Sequence, residues 1–389
     1  MNWNEHLKKF KSLPTPFYFY DLDLLKETLK SVKEESGKYG YEVHYAFKAN
    51  CNNEILKTIR DFGLGADCVS GNEIKKAREL KFSSDKIVFA GVGKSDDEIS
   101  YALSQDIFCF NCESLQEIDV LNELAAQQNK TARIALRINP NVKANTHHYI
   151  TTGLEENKFG ISVSQLNEVV DFVLTCKNIE LIGMHFHIGS QITDLNSFKS
   201  LVIRINELQT FFADKNIELK HINAGGGLGI DYHHPDKNPI PDFKNYFKIY
   251  NDFLELMPGQ QLHFELGRAI VGQCGNLISK VLYVKNGVNV DFLIIDAGMT
   301  ELIRPALYQS FHLIQNISST ENQLKNYDVV GPICESSDCF GKRISLPVSK
   351  RGDFMAIRSA GAYGEIMASN YNLREKAAAY FSGEKNLVR

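Results

Sequence analysis

Between residues 42 and 265 the sequence alternates eight short β-rich runs with seven longer amphipathic stretches, and that rhythm limits the fold more than any other feature. The β-rich runs cover 42–48, 64–70, 86–91, 106–111, 133–139, 181–188, 221–225 and 262–265, each bounded by Gly, Asn, Asp or Pro. Helical patterns cover 53–62, 72–81, 96–105, 114–128, 164–176, 195–212 and 243–256, and another, 22–35, precedes the first run. Ser70, Ser95 and Asp194 stand where N-caps are expected. A doubly wound open sheet shares this periodicity, but the count favours an α/β fold built as a (β/α)8 barrel. After about residue 272 helix nearly disappears, and short β-rich runs at 277–285, 292–296, 327–334, 344–346 and 353–357 indicate an all-β domain. The expected organisation is a barrel over 24–272 and a β domain over 273–389, joined by the strand 17–20 from residues 1–23.

Composition narrows the function classes. The 389 residues carry 43 Lys plus Arg against 47 Asp plus Glu, a net charge of −4, with 43% apolar and 23% charged residues. That is a globular chain without the basic excess of a nucleic-acid surface. No apolar run approaches the roughly 18 residues of a membrane span, and the first ten residues lack the apolar core of a signal peptide. Eight scattered cysteines do not form a disulfide framework. A cytoplasmic protein is expected, with no membrane and no nucleic-acid partner.

Barrel enzymes place their chemistry at the C-terminal ends of strands, and four strand ends carry it here. Lys48, in Tyr45-Ala46-Phe47-Lys48-Ala49-Asn50, leaves the first strand at the mouth, where burial and nearby cations can prepare a lysine for a Schiff base; a lone lysine at such a place more often simply leaves its strand for solvent. His185 and His187 share one face of the sixth strand. They suit a metal, an aromatic cofactor or a satisfied core, and no third metal ligand stands at the usual spacing. Gly225-Gly226-Gly227-Leu228-Gly229 follows the seventh strand, where backbone amides of barrel loops often hold phosphate. Glu265 and Arg268 close the eighth, as site groups or as a structural ion pair. Weaker matches are set aside: Gly93-Lys94-Ser95 lacks the first glycine of a P-loop, and Cys109 and Cys112 lack the second pair of a zinc site.

Taken in order, Tyr-Ala-Phe-Lys-Ala-Asn, Gly-Ala-Asp-Cys-Val-Ser-Gly-Asn-Glu, His-Phe-His-Ile-Gly-Ser-Gln, Gly-Gly-Gly-Leu-Gly, Glu-Leu-Gly-Arg, Arg-Pro-Ala-Leu-Tyr, Cys-Glu-Ser-Ser-Asp and Gly-Ala-Tyr resemble the fold-type III pyridoxal-phosphate decarboxylases over residues 14–372. The resemblance implies an alanine-racemase-type barrel, a β domain and a homodimer with active sites shared across its interface. It implies pyridoxal 5'-phosphate as cofactor and no metal. Lys48 would bind the cofactor covalently and His187 would stack on its ring. Ser190 and the backbones of Gly226, Gly227, Gly267 and Arg268 would hold its phosphate. Glu265 would face the ring nitrogen, and Tyr363 would close over the phosphate from the other subunit. Members acting on diaminopimelate match best, which implies loss of CO2 from the D-centre of meso-2,6-diaminopimelate to give L-lysine, the last step of lysine biosynthesis. Arg268, Arg304 and Tyr308 would hold the distal carboxylate, Glu335 the distal ammonium, and Cys334 of the neighbouring subunit would reprotonate Cα.

Glu335 follows Cys334 where ornithine decarboxylases carry Asp, and carboxynorspermidine decarboxylase matches less well. A non-catalytic cofactor carrier would lack the β domain, and a racemase of this fold would place arginine where Glu265 stands. A metal-dependent hydrolase built on the two histidines is the remaining alternative. Two departures from the family pattern are Leu266, where proline is usual, and Phe47, expected by strand alternation to face away from Lys48.

Overall fold

The computed structural model describes residues 3–142 and 158–383, which fall into two compact units. One comprises Leu29–Gly229 and Asp242–Gly267; the other comprises Met1–Thr28, Ile230–Pro241 and Arg268–Arg389. After a first strand, β1 (Phe17–Tyr20), come β2 (Glu42–Ala46), β3 (Gly65–Cys68), β4 (Ile87–Phe89), β5 (Cys109–Cys112), β6 (Ala132–Arg137), β7 (Ile179–His185), β8 (His221–Asn223) and β9 (Gln261–Leu266). Strands β2 to β9 form a closed parallel barrel, with β9 pairing back onto β2. All eight expected strands and all seven intervening helices are present, with ends shifted by a few residues.

Ser70 and Ser95 cap their helices, and Ser95 forms a reciprocal capping box with Glu98. Asp194 lies one residue before the cap position, and its carboxylate accepts from the Asn196 amide. Lys48 is not in the strand. Phe47–Ala49 form a single 3₁₀ turn after β2, so Phe47 is buried against Phe82 by that turn and not by strand alternation.

The floor of the barrel is polar. Backbone oxygen of Lys86 lies 3.1 Å from His44 Nδ1, His44 Nε2 lies 2.9 Å from His263 Nδ1, and His263 Nε2 lies 3.1 Å from His221 Nδ1. A carbonyl only accepts, so His44 Nδ1 carries the proton, and neutrality along the chain then assigns Nδ1–H to all three rings. Phe108 packs on all three imidazoles. A Cβ at Gly65 would sit 2.4 Å from His44 Nδ1, so this position of β3 has no room for a side chain.

In the second unit β10 (Gly275–Lys285), β11 (Asp291–Ile295), β12 (Ile314–Asn316), β13 (Leu324–Val330), β14 (Cys339–Pro347) and β15 (Phe354–Ile357) run in the order β12-β15-β10-β11-β13-β14. Strand β1 joins them antiparallel to β10 and parallel to β16 (Ala378–Phe381). Phe10, Phe17, Phe19, Ile278, Phe354 and Tyr380 form its apolar cluster. The helix Trp3–Phe10 and strands β12 and β16 were not anticipated.

The compact units depart from the expected boundary at 272/273. Residues 230–241 belong with the β unit because the Arg358 guanidinium grips Asp236 at 2.7 and 3.0 Å and the Gln273 amide donates to the Asn238 carbonyl at 2.7 Å. The expected strand 327–334 also stops early, at Val330. There the buried Asp338 carboxylate captures the Met299 and Ile333 amides at 2.6 and 2.7 Å, turning 331–338 into a loop.

The histidine chain makes the barrel acid-sensitive. Burial and its two imidazole neighbours hold His263 well below the ordinary histidine range. Its contribution is complete above the unfolded value near 6.5 and is lost as pH falls toward the folded value. At pH 5.5 that loss reaches at most about 1.4 kcal/mol for one fully neutral histidine. Urea midpoints measured at pH 7.5 and 5.5 should fall on acidification, and less steeply in His263→Gln; an equal slope in the variant would contradict this account.

Candidate active site

Register brings the functional side chains of the barrel together. Asp67 pairs with Ala46, Asn223 with both His185 and His263, and Glu265 with His44 across neighbouring strands. The buried Glu265 carboxylate takes three hydrogen bonds: Asn111 Nδ2 at 3.0 Å and Asn223 Nδ2 at 2.8 Å on Oε1, and His185 Nε2 at 2.9 Å on Oε2. Burial works against its charge, but His185, by charge and hydrogen bond, and then Lys48 outweigh burial and hold the carboxyl well below the usual carboxylate range. A carboxylate offers about four acceptor positions. Three are filled, and Oε2 keeps one for a further donor.

Lys48 Nζ donates to Asp67 Oδ2 at 2.5 Å. Its neighbour is thus a carboxylate, where the sequence reading allowed for nearby cations. Asp67 is fully buried, and burial together with the Glu265 charge pushes its carboxyl up against the opposing pull of Lys48.

His187 lies two residues beyond the end of β7, and its Nδ1 accepts from the Gly226 amide at 3.3 Å. Burial, then the charges of Arg137 and Lys48, push this imidazole down to about 3, so it is neutral and keeps its proton on Nε2. A neutral flat ring suits stacking on an aromatic cofactor. The glycine loop rests directly on the strand ends: a Cβ at Gly226 would fall 1.9 Å from the Glu265 carbonyl oxygen. Ser190 shares this region, because Ile192 exchanges backbone hydrogen bonds with Gly227 and Gly229. Gly267 follows β9, with Ala46 and Ala49 against its Cα.

The β unit holds the other predicted residues. Arg268 and Arg304 both donate to the Tyr232 hydroxyl, at 2.6 and 2.8 Å. Tyr308 closes the short helix Arg304–Tyr308, on the face of Arg304 by its i, i+4 spacing. Tyr363 was expected from another subunit; the structure places its ring 4.9 Å from the Arg268 guanidinium of its own chain. Cys334 and Glu335 lie exposed on the loop that Asp338 ties down, the Cys334 amide donating to Asn372 and Glu335 accepting from Tyr371.

Sequence reading did not single out Asp67, Asn111, Asn223, Tyr232 or His312. The signal available for the first three was a polar residue inside an otherwise apolar strand. Tyr232 and His312 offered none.

These residues fit pyridoxal phosphate on the evidence of the donor set: a lysine amine, a neutral imidazole, a buried anion with one acceptor position left, and a glycine cradle closed to side chains. Residues 22–272 match the family model described as pyridoxal-dependent decarboxylase, pyridoxal binding domain. The diaminopimelate decarboxylase of Bacteroides thetaiotaomicron is 59% identical over 379 residues, covering 97% of this chain and 98% of that protein. The one from Aquifex aeolicus is 38% identical over 96% and 89%. The chain belongs to the diaminopimelate decarboxylase family. A Helicobacter pylori diaminopimelate decarboxylase crystallised with L-lysine superposes with TM-score 0.92 at 38% identity, covering 98% of this chain and 94% of that one. Like its family, this chain is a pyridoxal-phosphate-dependent carboxy-lyase.

In a diaminopimelate decarboxylase built this way, activity that needs Glu265 ionised disappears as pH falls through its carboxyl value. Removing His185 raises that value, so the acid limb should move upward. The lost charge-assisted bond, worth about 1.5–3 kcal/mol, should lower kcat/KM roughly ten- to a hundredfold. His185→Phe assayed from pH 4 to 8.5 tests this: an acid limb should enter the range from below, and a profile like that of the unmodified protein would count against the network.

Proposed function

We propose that this chain decarboxylates meso-2,6-diaminopimelate at its D-centre, giving L-lysine and CO2, as the last step of lysine biosynthesis. The observation that carries the reading is the buried Glu265 anion, in a chain that matches its curated relative over nearly full length. Bound pyridoxal phosphate supplies the electron sink that takes up the charge left by CO2. Lys48 would anchor it, and His187 would stack on its ring. Ser190 and the backbones of Gly226, Gly227, Gly267 and Arg268 would hold its phosphate, with Tyr363 closing over it. Glu265 would keep the ring nitrogen protonated, because an adjacent anion favours the cationic form.

At the distal L-centre the substrate carries a carboxylate and an ammonium. Arg268, Arg304 and Tyr308 bind the carboxylate by charge-assisted hydrogen bonds, Glu335 pairs with the ammonium, and Tyr363 lines this end. Cys334 delivers the proton that replaces CO2. Its exposure and that of Glu335 fit a loop serving the neighbouring subunit of a homodimer. A cytoplasmic location suits the reduced state of all eight cysteines.

Purified protein with added pyridoxal phosphate, offered meso-diaminopimelate, L-ornithine, L-arginine and carboxynorspermidine in parallel, should release CO2 from the first alone. Glu265→Ala should lose most turnover while keeping some cofactor, and Lys48→Ala should lose the absorbance of lysine-bound cofactor. Turnover of another substrate would overturn the reading of Glu335; near-normal turnover by Glu265→Ala would overturn the role of the anion.

A further inference from the structure

The Tyr232 hydroxyl lies between two buried guanidiniums. Arg268 Nη1 donates to it at 2.6 Å and Arg304 Nη1 at 2.8 Å, with all three side chains buried. A phenol oxygen has two acceptor positions, and both are taken. Burial raises the phenol's ordinary value, but Arg268 and Arg304 together outweigh it and draw it down. Its own hydrogen, while present, is left to point at an acceptor outside the trio.

Arg304 is held on its other side as well. Its Nη1 also donates to His312 Nε2 at 3.1 Å, and its Nη2 donates to Ser310 Oγ at 3.3 Å. His312 Nδ1 donates to the Arg358 carbonyl at 2.8 Å, which leaves Nε2 as the acceptor. Burial, then the charge of Arg304, push His312 down to about 3, so this acceptor stays neutral. Both Nη1 hydrogens of Arg304 are therefore committed. Nε–H, buried and without a partner among the described residues, remains free with one Nη2–H. Those two donors are the edge of a guanidinium that meets a carboxylate side-on. Among the described residues no carboxylate pairs with Arg304.

We propose that Tyr232 is a positioning residue: its hydroxyl, with His312 behind Arg304, locks two mutually repelling guanidiniums into one carboxylate-binding pair. The inference rests on the reading that Arg268 and Arg304 receive the distal carboxylate. Tyr232→Phe removes one oxygen and keeps the ring that lies 5.9 and 5.3 Å from the two guanidinium carbons.

The test is calorimetry on the holoenzyme with L-lysine and with cadaverine, which is lysine without its carboxylate, beside steady-state kinetics on diaminopimelate. In Tyr232→Phe, L-lysine affinity should fall about tenfold or more, as expected for lost bonds to charged groups. Cadaverine affinity should hold, and the kinetic loss should fall on KM more than on kcat. Unchanged lysine affinity, or an equal loss for cadaverine, overturns the proposal. Arg304→Gln separates the two readings: if it keeps the preference for lysine over cadaverine, the assignment of the arginines fails. If it loses that preference while Tyr232→Phe keeps it, only the role of Tyr232 fails. Should Tyr232→Phe not fold, His312→Ala releases Arg304 from the same clamp and must show the same selective loss; unchanged lysine affinity there also overturns the proposal.

Discussion

A fully buried carboxylate is the constraint around which the barrel is arranged. Charge in a protein interior is costly unless it is paired and hydrogen-bonded. Glu265 is tolerated because three other strands each send it one donor: Asn111 from β5, His185 from β7 and Asn223 from β8. Closing the barrel is what lets side chains so distant in sequence converge on one acceptor. Lys48 and Asp67 extend the charged layer, and the glycine loop packs on the carbonyl of Glu265 itself.

Below that layer three imidazoles share the barrel interior with Phe108 and its apolar neighbours Val88, Cys109, Ala135 and Ile182. The two polar layers answer to the same rule in different ways. At the mouth, charge is retained and satisfied by donors. On the floor, histidines are held neutral, with tautomers fixed in series from one backbone carbonyl. The β unit shows a third arrangement, two cations sharing a phenol oxygen, with the Arg304 Nε–H buried and without a partner among the described residues.

Much of this could be read from residue order. Strand count and period identify the barrel, and the rule that chemistry sits at strand ends singles out Lys48, the glycine loop and Glu265 from sequence alone. Ordered motifs then supplied the cofactor. What escaped were contacts set by register and closure. Asn111 and Glu265 are 154 positions apart, and no local pattern joins them. Tyr232 escaped for a different reason: residues 230–241 pack with the β unit although they lie inside the barrel's stretch of sequence. The early end of β13 was hidden too, because it depends on Asp338 reaching back to two amides.

Held anionic by its three donors, Glu265 would keep the cofactor's ring nitrogen protonated. Solid-state ¹⁵N NMR of the holoenzyme, loaded with pyridoxal phosphate labelled at that nitrogen, measures this directly. The account predicts a protonated nitrogen in the unmodified protein at pH 8 and an unprotonated one in Glu265→Ala. An unprotonated nitrogen in the unmodified protein would contradict it.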